Sequence, residues 1–186
     1  MRIETPLLII GGGPAALAAA EIASGYRVAS LVVGHVAGLG PNPEYPVGLD
    51  AQAVEALTPH GVLDVLRPYL VVADPPTLSP HVFEDILKHH CVADMNVTVY
   101  DAMQVVPAVP NHAHDGDGAL HAVLTDGKAR WDLHADAVID TSDFPTDLSA
   151  AINRAAAQVR AILTRGALIP PHTIRYGGDS ITPTAR

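Results

Sequence analysis

The stretch Gly11-Gly12-Gly13-Pro14-Ala15-Ala16 carries the clearest chemistry in this chain. It fits the pattern G-x-G-x-x-G/A, in which the backbone does the binding. Glycine at 11 permits a tight turn. Glycine at 13 lets main-chain amides approach a pyrophosphate with no side chain between. A small residue at 16 lets the following helix pack close to a sheet. The start of that helix offers unpaired N–H groups and a partial positive charge to phosphate oxygens. The pattern points to an adenine dinucleotide. An acid that holds the adenosine ribose is expected about twenty residues on, where this chain has Gly34 and His35. Either backbone groups and His35 hold the ribose, or binding is weakened. His35 is not basic enough to imply a 2′-phosphate.

The other reactive residue types group less well. His89, His90 and Cys91 are adjacent, so on a helix they point in different directions and read as an ordinary helix end. His112, His114, Asp115 and Asp117 lack the spacing of a calcium loop and read as a solvated loop. Cys91 is the single cysteine, which excludes an internal disulfide and a Cys-x-x-Cys pair; packing is its expected role. No Gly-x-Ser-x-Gly elbow is present, so hydrolase chemistry has no support. Arg154, Arg160 and Arg165 spread around one helix rather than forming an anion site. No metal site and no catalytic residue is assigned.

The glycine motif needs a strand before it and a helix after it. Leu7–Ile10 reads as a buried parallel strand, Pro14–Ser24 as an alanine-rich helix stopped by Gly25, and Val28–Val33 as a second buried strand. Residues 38–48 read as a glycine- and proline-rich loop. Asp50 is placed to cap a helix through Leu57, a second short helix is expected near 61–66, and Ser79-Pro80 starts another through His90. Asn96–Tyr100 reads as a strand. In "ALHAVLTDGKARWDLH", Asp126-Gly127 predicts a hairpin turn with positive φ. Ala137–Ile139 is a further short strand. Ile152, Ala155, Ala156, Val159 and Leu163 repeat at helical spacing within a helix expected over 147–163.

"LLIIGGGPAALAAAEIASGYRVASLVVG" resembles the start of the FAD domain in thioredoxin-reductase-like flavoproteins, which carry one domain for FAD and a second for NADPH. Some members also end the second strand in glycine. "SPHVFEDILKHH" with "NVTVYDAMQVV" resembles the helix and strand after which the family's backbone touches adenine, here near Met103. "ALHAVLTDGKARWDLHADAVIDTSD" resembles the family's small β-meander and the strand that follows it. That strand ends in Ala-Thr-Gly in the family and in Asp140-Thr141-Ser142-Asp143 here. The family then inserts its NADPH domain, of roughly a hundred residues. Here the chain runs directly into a helix resembling the family's last one, and Ser142-Asp143 stand where a Gly-Asp pair contacts the flavin ribityl chain.

The resemblance implies an α/β, Rossmann-like three-layer FAD/NAD(P)-binding domain with a parallel sheet and a small β-meander. It spans residues 1–163, with 164–186 as a tail or partner-docking arm. The cofactor-binding residues it implies are Gly11, Gly12, Gly13, Pro14, Ala15, Ala16, Gly34, His35, Met103, Ser142 and Asp143. By the same analogy the proline-rich loop 40–46 lies near the flavin. The function implied is a minimal flavin oxidoreductase, or a subunit of one, that binds FAD or another adenine dinucleotide. With no second glycine motif and no cysteine pair, a protein partner is expected to supply electrons or substrate. The alternative is a non-catalytic flavin or adenine-nucleotide binding module with a carrier, regulatory or structural role.

Composition sets the outer bounds. The chain has 186 residues, 48% hydrophobic and 17% charged, enough for one globular domain with a real core. A net charge of −9 and the lack of any Lys/Arg cluster weigh against nucleic acid and anionic membranes. The first apolar run is too short to cross a bilayer and has no signal-peptide pattern. A cytoplasmic setting and a homodimer are the expectations that follow from cysteine usage and small size.

Overall fold

The computed structural model describes residues 2–34, 46–107, 120–165 and 175–177. In chain order these form β1 (Arg2–Ile10), α1 (Pro14–Gly25), β2 (Ser30–Gly34), β3 (Val47–Gly48), α2 (Ala51–Leu57), α3 (Val62–Leu66), β4 (Val72–Ala73) and β5 (Pro76–Leu78). There follow α4 (Pro80–Ala93), β6 (Val97–Asp101), β7 (Gln104–Pro107), β8 (Leu120–Thr125), β9 (Arg130–Asp140), α5 (Leu148–Thr164) and β10 (Arg175–Gly177).

The main sheet runs β6-β2-β1-β9-β8-β7, with β10 added on β1. Its first four strands are parallel, and β7, β8 and the first half of β9 form an antiparallel meander. A small sheet, β3-β5-β4, lies apart from it. The fold is the expected Rossmann-like α/β class. Parallel strands buried on both sides read as continuous apolar runs, and the two cores show why. Leu7 and Ile9 of β1 and Val32 of β2 pack with α1, α2, α4 and α5. Leu8, Leu31 and Val33 pack with Leu120, Ala122, Leu124 and Leu133 of the meander.

Helix α1 is buried from Pro14 to Ala23, and Ala16, Ala18, Ala19, Ala20 and Ala23 are fully inaccessible. Alanine is small enough for α4 and α5 to close on it while it also meets the sheet. Asp50 caps α2 by accepting from the Ala53 amide at 2.7 Å. Asp147 caps α5 by accepting from the Ala150 amide at 2.8 Å. Ser79 precedes α4, but its hydroxyl makes no cap hydrogen bond; Pro80 in the first turn sets that start instead.

Two strands are longer than the sequence predicts. The expected strands over Leu7–Ile10 and Ala137–Ile139 are the C-terminal parts of β1 and β9. Their first halves pair with each other, Ile3 with Leu133 and Thr5 with Ala135. Pro6 has no N–H to give. It falls between the residues of β1 paired to β10 (2–4) and those paired to β2 (7–10), where no donor is required. The Asp126-Gly127 hairpin forms, with Gly127 at φ 87°. Its loop is held by the Asp126 carboxylate, which accepts from the amides of Lys128 and Ala129 at 2.8 and 2.7 Å. β10 comes from the segment expected as a tail or docking arm and lies antiparallel to the start of β1.

Candidate functional site

The C-terminal edge of the parallel strands gathers most of the residues singled out from the sequence. In register, Ile10 of β1 stands beside Val33 of β2 and Asp140 of β9, and Gly34 stands beside Asp101 of β6. The turn that leaves β1, the last residue of β2, the turn after β6 and the turn after β9 therefore share one edge. Ligands of open α/β sheets bind outside this edge.

Each glycine at the edge has its own reason. Gly11 turns the chain at φ 128°, a conformation that side chains disfavour, and its amide donates to the Val33 carbonyl at 2.8 Å. A Cβ there would overlap the Thr141 hydroxyl. Gly34 is a glycine because the turn lies across it. A Cβ on Gly34 would come 2.8 Å from the Gly11 carbonyl carbon and 2.9 Å from its Cα, both backbone atoms. Gly13 is different. It sits at φ −89° in extended backbone, which any residue adopts, and a Cβ there would meet nothing within 4 Å. No part of the described protein requires a glycine at 13. Open space faces it.

That space is bordered by donors. The Gly13 carbonyl accepts from the amides of Ala16 and Leu17 at 3.0 and 3.2 Å, closing the first turn of α1. The amides of Gly12, Gly13 and Ala15 have no hydrogen-bond partner among the described residues, and Gly12 itself is buried. Pro14 at the first helical position has no donor to leave unpaired. Orphan amides at a helix start, beside a backbone kept bare of side chains, form an anion cradle. The arrangement fits a pyrophosphate.

Thr141, a residue to which the sequence pattern assigns no role, ties the edge together. Its amide and its hydroxyl both donate to the Ile10 carbonyl, each at 2.9 Å. The first residue after β9 is thereby fixed to the last residue before the glycine turn. Ser142 and Asp143 follow in an exposed turn. The Ser142 amide donates to the Asp140 carboxylate at 2.9 Å, and the Asp143 carbonyl accepts from the Arg154 guanidinium at 2.9 Å. That guanidinium also lies over the Phe144 ring, 4.8 Å from its centroid. Met103 is half-buried against the meander-side core, directly after Ala102, which sits at φ 60°. His35, the loop 40–45 and the cluster from His112 to Asp117 lie outside the described residues.

A groove of about 610 Å³ begins at Ile10 and Asp140 and runs past Leu120 and Ala122 to Ile162 and Arg165. None of the edge glycines lines it. Cys91 is fully buried, where its thiol donates to the Glu21 carboxylate at 3.1 Å. Burial first, and the adjacent Glu21 second, push that thiol far above its ordinary range, so thiolate chemistry is closed to it. Among the described residues no group of three or more His, Cys, Asp or Glu side chains is placed to hold a metal ion. Among them, too, no helix is long and apolar enough to cross a membrane.

No protein-family model matches the chain, and no curated relative matches it by sequence. Solved structures do. The chain is similar to the flavin-dependent monooxygenase PieE, solved in complex with FAD and substrate, with a TM-score of 0.57 and 17% identity over 73% of this chain and 29% of that one. It is also similar to p-nitrophenol 4-monooxygenase PnpA from Pseudomonas putida DLL-E4 (TM-score 0.55, 17% identity, 75% of this chain and 41% of that one). A third likeness is to the anhydrotetracycline hydroxylase OxyS from Streptomyces rimosus (TM-score 0.56, 16% identity, 78% and 35%). At these identities the likeness establishes the fold. The chain spans well under half the length of each of these three neighbours.

Proposed function

We propose that this chain binds FAD at the edge glycines and is the flavin-holding unit of an oxidoreductase whose electron donor and substrate are bound by a partner. The observation that carries the reading is the open face at Gly13, bordered by the amides of Gly12, Gly13 and Ala15. Those amides would hold the pyrophosphate, while Gly34 and Thr141 keep the turn in place. The sequence resemblance is to thioredoxin-reductase-like flavoproteins, and the structural neighbours are monooxygenases. The resemblance implies an FAD site and PieE was solved with FAD, and the proposal rests on that common part. FAD supplies hydride and electron transfer when bound. The chain contributes one glycine turn and one cysteine, so it has neither a second dinucleotide turn nor a dithiol. That same observation favours a second reading, a flavin-holding module without turnover.

The test is the visible spectrum of the purified protein, with and without added FAD, for wild type and Gly13→Asp. A Cβ at 13 meets none of the described residues, and a carboxylate on it would face the pyrophosphate. It should leave folding intact and weaken FAD binding by about a hundredfold or more. Equal FAD retention by the variant would overturn the proposed site. Bleaching of the bound flavin by NADPH, with or without a partner protein, supports the oxidoreductase reading. Retention of FAD with no reduction under any such condition supports the holding module.

A further inference from the structure

On the outward face of the meander, His121 of β8 and His134 of β9 stand directly opposite each other. Their ring centroids are 4.2 Å apart, with the planes at 79°. The flanking residues of both strands, Leu120, Ala122, Leu133 and Ala135, are buried, so the two histidines share the opposite face. Glu4 of β1 is the next residue in the same row, paired in register with His134. Asp132 and Asp136 lie two residues to either side along β9 and are exposed. Two arginines flank this row: Arg2, engaged by Glu4 at 3.0 Å, and Arg175 of β10, paired in register with Glu4.

We infer that His121 and His134 form a binding site for a single divalent transition-metal ion of the zinc class. Opposed positions on antiparallel strands hold Cβ atoms at roughly 5 Å, a spacing from which two imidazoles can reach one ion. Imidazole nitrogen suits zinc, copper and nickel rather than magnesium or calcium. Water completes a four-coordinate set. Glu4, Asp132 and Asp136 supply a negative field and acceptors for imidazole N–H groups or bound water. The two ligands stand on β8 and β9, so an ion there staples these two strands of the meander together beside β1. The site is independent of the edge glycines, midway along β9 and six residues before Asp140.

Zn²⁺ titrated into the purified full chain by calorimetry tests this, with His121→Ala, His134→Ala and the double variant alongside. Both positions are on the outward face, so the variants should fold, and circular dichroism confirms that. The expected result is one Zn²⁺ per chain in wild type, with that binding lost in each single variant. Zn²⁺ at about a hundred times its dissociation constant should raise the wild-type melting temperature by about 5 °C or more and leave the double variant unmoved. Co²⁺ in place of Zn²⁺ should give a visible spectrum of nitrogen ligation that disappears with either histidine. Equal Zn²⁺ binding by the double variant would place the ion on other histidines. That result, or no binding by wild type, overturns the inference.

Discussion

Replacing Gly34 with alanine is the substitution that best separates what the fold demands from what a ligand demands. The added methyl would stand 2.8 Å from the Gly11 carbonyl carbon, 2.9 Å from its Cα and 3.1 Å from its nitrogen. All three are backbone atoms in a turn fixed at both ends, by the Gly11 amide to Val33 and by Thr141 to Ile10. No side chain can rotate away, so the strand end and the turn must separate. Overpacking of this kind costs about 1–3 kcal/mol. Against it, alanine reduces the freedom of the unfolded chain by about 0.4–1 kcal/mol. The net loss is about 1–2 kcal/mol, a fall in melting temperature of roughly 2–8 °C for a chain of this size. The control is Gly13→Ala, at an ordinary φ with nothing within 4 Å of the new methyl. Its melting temperature should hold or rise slightly. FAD affinity should fall in both variants, in the first because the turn is displaced and in the second because the methyl occupies the phosphate's space. Thermal unfolding without FAD, followed by circular dichroism, reads the stability half. A Gly34→Ala protein as stable as wild type would show that the turn yields freely, and the account of Gly34 would be wrong.

Thr141→Val removes the hydroxyl donated to the Ile10 carbonyl but keeps the amide bond to it, so it should cost about 1 kcal/mol, read as a small drop in melting temperature with weaker FAD retention; no change in either would remove Thr141 from the site. Cys91 should resist a thiol reagent at pH 8 in the native protein and react fully in denaturant, because burial and Glu21 keep it protonated; rapid native modification would contradict its placement. Glu84 is buried, and burial first and Asp85 second raise its pKa. A carboxyl whose folded pKa is raised binds its proton more tightly in the folded state, so its contribution is fully present below about pH 4.5 and is lost as pH rises through the folded value. Glu84→Gln should therefore be more stable than wild type at pH 7, with the difference shrinking in acid; a gain that is flat with pH would refute that cause.

What the sequence made legible was local. Gly11 to Ala16, the alanine run of α1, the Asp50 and Asp147 caps and the Asp126-Gly127 turn all depend on neighbours a few residues away, so residue type and spacing were enough. The first halves of β1 and β9 were not legible. Arg2, Glu4, Asp132 and His134 dilute the apolar signal there, and only pairing across the sheet makes Ile3 and Leu133 core residues. Gly34 and Thr141 show the same limit at the site. Gly34 at the end of β2 carries no side chain because the protein's own backbone occupies the place its Cβ would need. The end of β9 drew attention for the glycine it lacks, while the threonine beside it holds the edge closed. Both contacts join residues more than twenty positions apart, which no local pattern records. The two kinds of glycine at this edge then carry different information. At Gly11 and Gly34 the folded chain itself excludes a side chain. At Gly13 none of the described residues does, so its bare backbone is open to a phosphate, and that residue, more than the motif as a whole, is the argument for a cofactor.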